Sequence, residues 1–143
     1  MTGFNMKKTM PIFLLLTLIL TACQTTEVTK QKFPPNWHSK IYGTYEGELT
    51  SGELTRRVKT TFKKSSDNQT LGFYAFYDGN NTEKGSLINC HPDDFGTLSC
   101  TWQDKYGNGV LKLAFTSTLD EFKGLWGFKT EKPKYVWNGK LIK

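Results

Sequence analysis

The chain has 143 residues, 22% of them charged, and a formal net charge of +6 at pH 7. That length leaves room for one domain with one core. The positive balance suits anionic surfaces such as lipopolysaccharide or peptidoglycan, and it is too weak to argue for nucleic acid.

The first element is a targeting segment. Lys7 and Lys8 precede an apolar run from Met10 to Ala22 that only Pro11, Thr17 and Thr21 interrupt. A basic n-region followed by a short apolar h-region is a signal peptide. A membrane-spanning helix needs roughly 20 apolar residues, and the stretch from Thr25 to Lys32 is too polar to extend this one. The run ends in Leu20-Thr21-Ala22-Cys23, which resembles the lipobox of bacterial lipoproteins.

That resemblance implies cleavage before Cys23, a diacylglycerol on its thiol and acylation of the new amino terminus. Several chains matter physically, because each buried CH₂ adds about 0.8 kcal/mol and one chain alone holds a protein only marginally. Gln24 stands where family members retained at the inner membrane often carry Asp, so the resemblance implies the periplasmic face of the outer membrane. Residues 1–22 are therefore read as signal, and loss of Lys7 and Lys8 takes the charge from +6 to about +4.

Residues 23–40 are polar, contain Pro34-Pro35 and show no apolar period, so they read as the lipidated cysteine and a flexible tether. Phe33 and Trp37 are the residues there with a reason to dock on the domain.

From Ile41 the pattern changes to period two with closely spaced turn signals, the mark of an antiparallel all-β domain over 41–143. About eight strands are predicted. Ile41 to Thr50 places Ile41, Gly43, Tyr45, Gly47 and Leu49 on one face. Leu54 to Phe62 alternates Val58, Thr60 and Phe62 with Arg57, Lys59 and Thr61. Thr70 to Tyr77 is aromatic on both faces, Phe73 and Tyr77 against Tyr74 and Phe76, and so calls for cover on both sides.

Ser86 to Cys90 and Thr97 to Trp102 flank the turn-rich segment from His91 to Gly96. Val110 to Thr116, Glu121 to Lys129 and Tyr135 to Ile142 complete the set. Consecutive short strands joined by tight turns predict a meander that closes into a small barrel and so removes exposed edges, with a two-sheet sandwich as the alternative. Gly43-Thr44-Tyr45-Glu46-Gly47 and the segment Phe122 to Gly127 resemble the glycine-aromatic strands of small lipocalin-like and avidin-like barrels. That resemblance implies architecture and transfers no ligand residues.

With Cys23 assigned to lipid, Cys90 and Cys100 remain as an even pair in an oxidising compartment, which reads as a disulfide closing a short loop. For catalysis the chain offers little. His38 and His91 are its only histidines, one in the tether and one in a predicted turn. No nucleophile elbow of the G-x-S-x-G kind is present, and Glu46, Glu48 and Glu53 fall on a solvent face or in a turn. No catalytic residue, metal site or cofactor is assigned.

Two clusters point to binding. Arg56, Arg57 and Lys59 form a basic run on the second strand that suits an anionic polymer or lipid head group, or else protects an edge strand. Trp102, Trp126 and Trp137 stand in strands of a chain that is 14% aromatic, and they either line a ligand cavity or fill the core. The expectation is a binding module for an envelope protein, a glycan or a small ligand, with the membrane as partner through Cys23. An envelope hydrolase and a structural subunit of an envelope complex are the alternatives.

Overall fold

A computed structural model describes Met1 and residues 30–143. Cys23, the signal segment and the first part of the predicted tether lie outside the described residues. The eight strands are β1 (Gly43–Ser51), β2 (Leu54–Lys64), β3 (Thr70–Asp78), β4 (Asn81–Pro92), β5 (Thr97–Asp104), β6 (Gly107–Phe115), β7 (Glu121–Phe128) and β8 (Tyr135–Leu141). Each pairs antiparallel with its neighbour in sequence, and β8 returns to β1, so the sheet is a closed barrel and not a sandwich.

Alternation along each strand sorts the side chains. Val58, Thr60 and Phe62 of β2 point inward and are buried, as are Leu111, Leu113 and Phe115 of β6. The one polar side chain among these inward positions is satisfied, because Trp137 Nε1–H donates to Thr60 Oγ1 at 3.0 Å. Strand β3 departs from expectation. Tyr74 and Phe76 are buried, but Phe73 and Tyr77 remain 48% and 46% exposed. A single sheet closed on itself has only one interior, and among the described residues the outer-wall rings of Phe73 and Tyr77 stay about half exposed, with the Lys63 ammonium 5.9 Å from the Phe73 ring centre.

Strand β4 begins at Asn81, five residues earlier than its apolar pattern indicates, because backbone pairing with β3 carries through the polar stretch Asn81 to Lys84. It also ends later, so His91 and Pro92 belong to the strand. The turn proper is Asp93 to Gly96, where Asp93 Oδ1 accepts from the backbone N–H groups of Phe95 and Thr97, both at 2.8 Å.

One end of the barrel is stoppered. A single turn of 3-10 helix, Trp37–Lys40, sits across it with Trp37 buried, and Trp37 Nε1–H donates to the Asp93 carbonyl at 2.7 Å. Phe33 stacks edge-on against Trp37, and its N–H donates to the Asp94 carbonyl. The stopper meets Phe115, which packs in turn on Tyr45, Phe62 and Phe122. Part of the segment expected to be a free tether is thus docked from Phe33 onward. Aromatic area, which the polar surroundings of Phe33 and Trp37 mask in composition, drives that docking. Tyr45 donates to the Leu119 carbonyl at 2.8 Å, and burial, reinforced by the charge of Asp120, pushes its phenol up to about 12.

Cys90 and Cys100 are joined, their Cα atoms 4.1 Å apart. The pairing depends on a β-bulge. Ile88 faces Thr101 and His91 faces Ser99, so Asn89 and Cys90 together oppose Cys100. Asn89 takes a left-handed backbone, φ 51°, which asparagine tolerates better than most residues. After the inward Leu87, strict alternation would turn Asn89 into the core and Cys90 out. The extra residue resets the parity and buries Cys90.

Two predictions follow from this end of the barrel. Replacing both Cys90 and Cys100 by Ala lowers unfolding free energy by about 2–3 kcal/mol, the chain-entropy value for so short a loop, measured by urea denaturation under oxidising conditions. The Asp93 carboxyl lies below the usual carboxylate range; partial burial opposes ionisation, and the N–H groups of Thr97 and Phe95, the Thr97 hydroxyl and Lys30 outweigh it. A depressed folded pKa contributes stability above the unfolded value near 4, and that stability is lost as pH falls through the folded value. Asp93→Asn therefore flattens the acid limb of a melting-temperature profile as pH falls from the unfolded value through the lower folded one, while lowering stability at neutral pH.

Candidate ligand cavity

At the opposite end the hairpins β1–β2, β3–β4, β5–β6 and β7–β8 rise around a half-open cavity of about 280 Å³. Its position follows from parity. Inward residues at the closed end are large and interlocked, whereas several inward positions at the hairpin end carry polar side chains: Arg56 on β2, Asp78 on β3 and Asp104 on β5. These continue the inward registers of Val58, Phe76 and Trp102. Charged groups do not collapse on one another as apolar ones do, so the interior stays open there.

The walls are aromatic. Trp102, Trp126 and Trp137 all line the cavity, with Tyr74, Phe76 and Phe128. The rings meet at steep angles, 87° for Trp102 with Trp126, 79° for Tyr74 with Trp137 and 73° for Trp102 with Phe128. Each indole N–H is consumed inside the protein. Trp102 donates to the Gly127 carbonyl at 3.0 Å, Trp126 to the Thr50 carbonyl at 2.9 Å and Trp137 to Thr60. The first of these requires Gly109, where a Cβ would overlap the Gly127 carbonyl oxygen and lie 2.7 Å from the Trp102 nitrogen. The bonds fix the three indoles in place and keep their N–H groups from an occupant.

The polar groups are also paired. Arg56 Nη2 and Nε reach Asp78 Oδ1 at 3.0 and 3.3 Å. The Tyr74 hydroxyl donates to Asp104 Oδ2 at 2.8 Å, and the Tyr106 N–H donates to Asp104 Oδ1. Burial first, then the hydrogen bond and charge of Asp104, push the Tyr74 phenol far above its ordinary range, so it serves as a neutral donor. No buried side-chain nitrogen or oxygen among the described residues lacks a partner.

The sequence candidates divide between two places. Trp102, Trp126, Trp137 and Arg56 come together around the cavity. Arg57 and Lys59 stand on the outer wall, Lys59 bound to Glu46 at 3.1 Å and Arg57 across from Glu48. The basic run is therefore no single surface, because adjacent strand residues point to opposite faces. It protects no edge either, since β2 pairs on both sides. Cys90 and Cys100 lie in the strands that flank the Asp93 turn, toward the stoppered end.

Tyr74, Asp78 and Asp104 were not singled out from sequence. The signal that finds them is a carboxylate at the end of a strand in the same parity as buried aromatics. Among the described residues no group of three or more His, Cys, Asp or Glu side chains is placed to hold a metal ion; His38 Nδ1 lies 3.1 Å from Thr70 Oγ1 at the stoppered end.

No family model, curated protein or solved structure matches this chain. Tyr74→Phe removes the donor to Asp104 and lowers stability by about 1 kcal/mol. Chemical denaturation followed by tryptophan emission measures it, and an unchanged midpoint counts against the pairing.

Proposed function

We propose that the protein is an envelope lipoprotein, held at the periplasmic face of the outer membrane by an acylated Cys23, whose barrel binds a small ligand in the aromatic cavity. The observation that carries the binding part is the contrast between the two barrel ends. One is filled by interlocked aromatics and the docked Trp37; the other encloses about 280 Å³ lined by fixed rings, near the lower end of small-molecule sites.

The anchor reading rests on Lys7, Lys8 and the Leu20-Thr21-Ala22-Cys23 stretch, and the fold is compatible with it. The chain reaches the barrel at the stoppered end, where Phe33 docks. Phe33 lies ten positions after Cys23, enough for about 35 Å of extended chain. An acylated Cys23 would then tether the barrel by its closed end, with the cavity mouth directed away from the bilayer.

Binding is favoured over hydrolysis because the two cavity carboxylates are already engaged, Asp78 by Arg56 and Asp104 by Tyr74 and the Tyr106 amide. Hydrolysis of envelope material by paired acids needs one to deliver a proton and the other to act as base or nucleophile.

Two measurements test the two parts. Membrane fractionation with mass analysis of the mature amino-terminal peptide finds an acylated Cys23 in the outer-membrane fraction, and Cys23→Ser leaves the protein unprocessed or unanchored; efficient membrane retention of that variant defeats the anchor. Titration of the purified barrel with small probes of different charge, 1-naphthol as a neutral aromatic and choline as a cation, gives a saturable one-site change in tryptophan emission with at least one, and a strictly linear response to both defeats the cavity.

A further inference from the structure

The chemistry of the lining narrows the ligand, resting on the binding reading above. Within a chain of net charge +6, the cavity lining carries one cation, Arg56, and two carboxylates, Asp78 and Asp104. Arg56 is spent on Asp78, with its side chain only 18% exposed. Asp104 receives two neutral donors and no cation, so its charge is uncompensated. The nearest lysine in sequence, Lys105, is held by Glu83 at 2.6 Å.

Several donors of the cavity are used internally: three indole N–H groups, the Tyr74 hydroxyl, and one N–H each on Nε and Nη2 of Arg56. What remains unbalanced is the lining's charge, two carboxylates against one cation, beside aromatic rings. An anion would add to that negative charge, and a neutral ligand would leave it uncompensated. A cation satisfies both the rings and Asp104, because the quadrupole of Trp and Tyr attracts positive charge at their faces.

Trp102 stands nearly at right angles to Trp126, and Tyr74 to Trp137, so the four rings line the cavity in more than one plane. From these we infer that the cavity takes a small organic cation, of the quaternary or alkylated ammonium class, with Asp104 as its counter-charge. The volume of about 280 Å³ equals roughly nine water volumes of ~30 Å³, which suits a head group and not a long chain.

The test compares choline with 3,3-dimethylbutan-1-ol, which has the same shape with carbon in place of the charged nitrogen, and with 1-naphthol as a neutral aromatic control. Binding to the purified barrel is read by tryptophan emission and calorimetry at low salt. Choline is expected to bind at least tenfold more tightly than its neutral counterpart, and Asp104→Asn, which keeps shape and an acceptor for Tyr74, to reduce that ratio severalfold. A ratio near one with 1-naphthol bound overturns the cation assignment and leaves the binding reading standing. No saturable response to any of the three overturns both. A preference for choline that Asp104→Asn leaves unchanged removes Asp104 as counter-charge. If that variant does not fold, as judged by its circular dichroism, the wild-type ratio alone decides.

Discussion

Closure between β1 and β8 is the constraint on which the rest of the structure depends. Tyr45 pairs with Leu141, Glu46 with Lys140 and Leu49 with Trp137 across that seam, and the approach is so close that a Cβ on Gly47 would overlap the Asn138 carbonyl oxygen. Only glycine lets the two backbones meet there. Once the seam is made, every strand has two partners, no edge is left for foreign strands to join, and each side chain belongs either to one interior or to solvent. The burial of Tyr45, Phe62, Leu111 and Trp137 and the exposure of Phe73 and Tyr77 are consequences of that division.

The interior so enclosed is not uniform along its axis. Toward the chain's entry point the inward positions are Phe62, Phe115 and Phe122, which lock with Tyr45 at ring separations of 5.4–6.3 Å, and Trp37 covers them. Toward the hairpin tips, Arg56, Asp78 and Asp104 replace apolar filler; Arg56 pairs with Asp78, and Asp104 accepts from Tyr74 and the Tyr106 amide. Dense aromatic packing at one end supplies stability that lets the other remain open. A binding cavity needs this asymmetry, since a barrel filled throughout holds no ligand and one empty throughout lacks a core.

A separate set of bonds fixes the rings: the indole of Trp102 is tied to Gly127, that of Trp126 to Thr50 and that of Trp137 to Thr60. A preformed wall loses little side-chain entropy when occupied, and affinity that would otherwise be spent on ordering is kept. The same bonds remove the three indole donors from the cavity surface.

Much of the architecture was legible in the chain. Period-two alternation marks all eight strands, turn residues such as Asp78-Gly79 and Tyr106-Gly107 separate them, and Trp102, Trp126, Trp137 and Arg56 of the cavity stand out in the sequence by residue type. Those features are local: parity and turn chemistry depend on neighbours a few residues away. What only the tertiary structure decided is long-range. Which end would be stoppered depended on Trp37 meeting Asp93, 56 residues away in sequence, and Cys90 faced inward only because Asn89 bulged against β5. The basic run from Arg56 to Lys59 separated into a cavity residue and an outer wall, and Arg56 lost its free charge to Asp78, 22 residues on. A sequence states which face a side chain shares with its strand; only closure, which brings distant strands within hydrogen-bond reach, states what that face encloses.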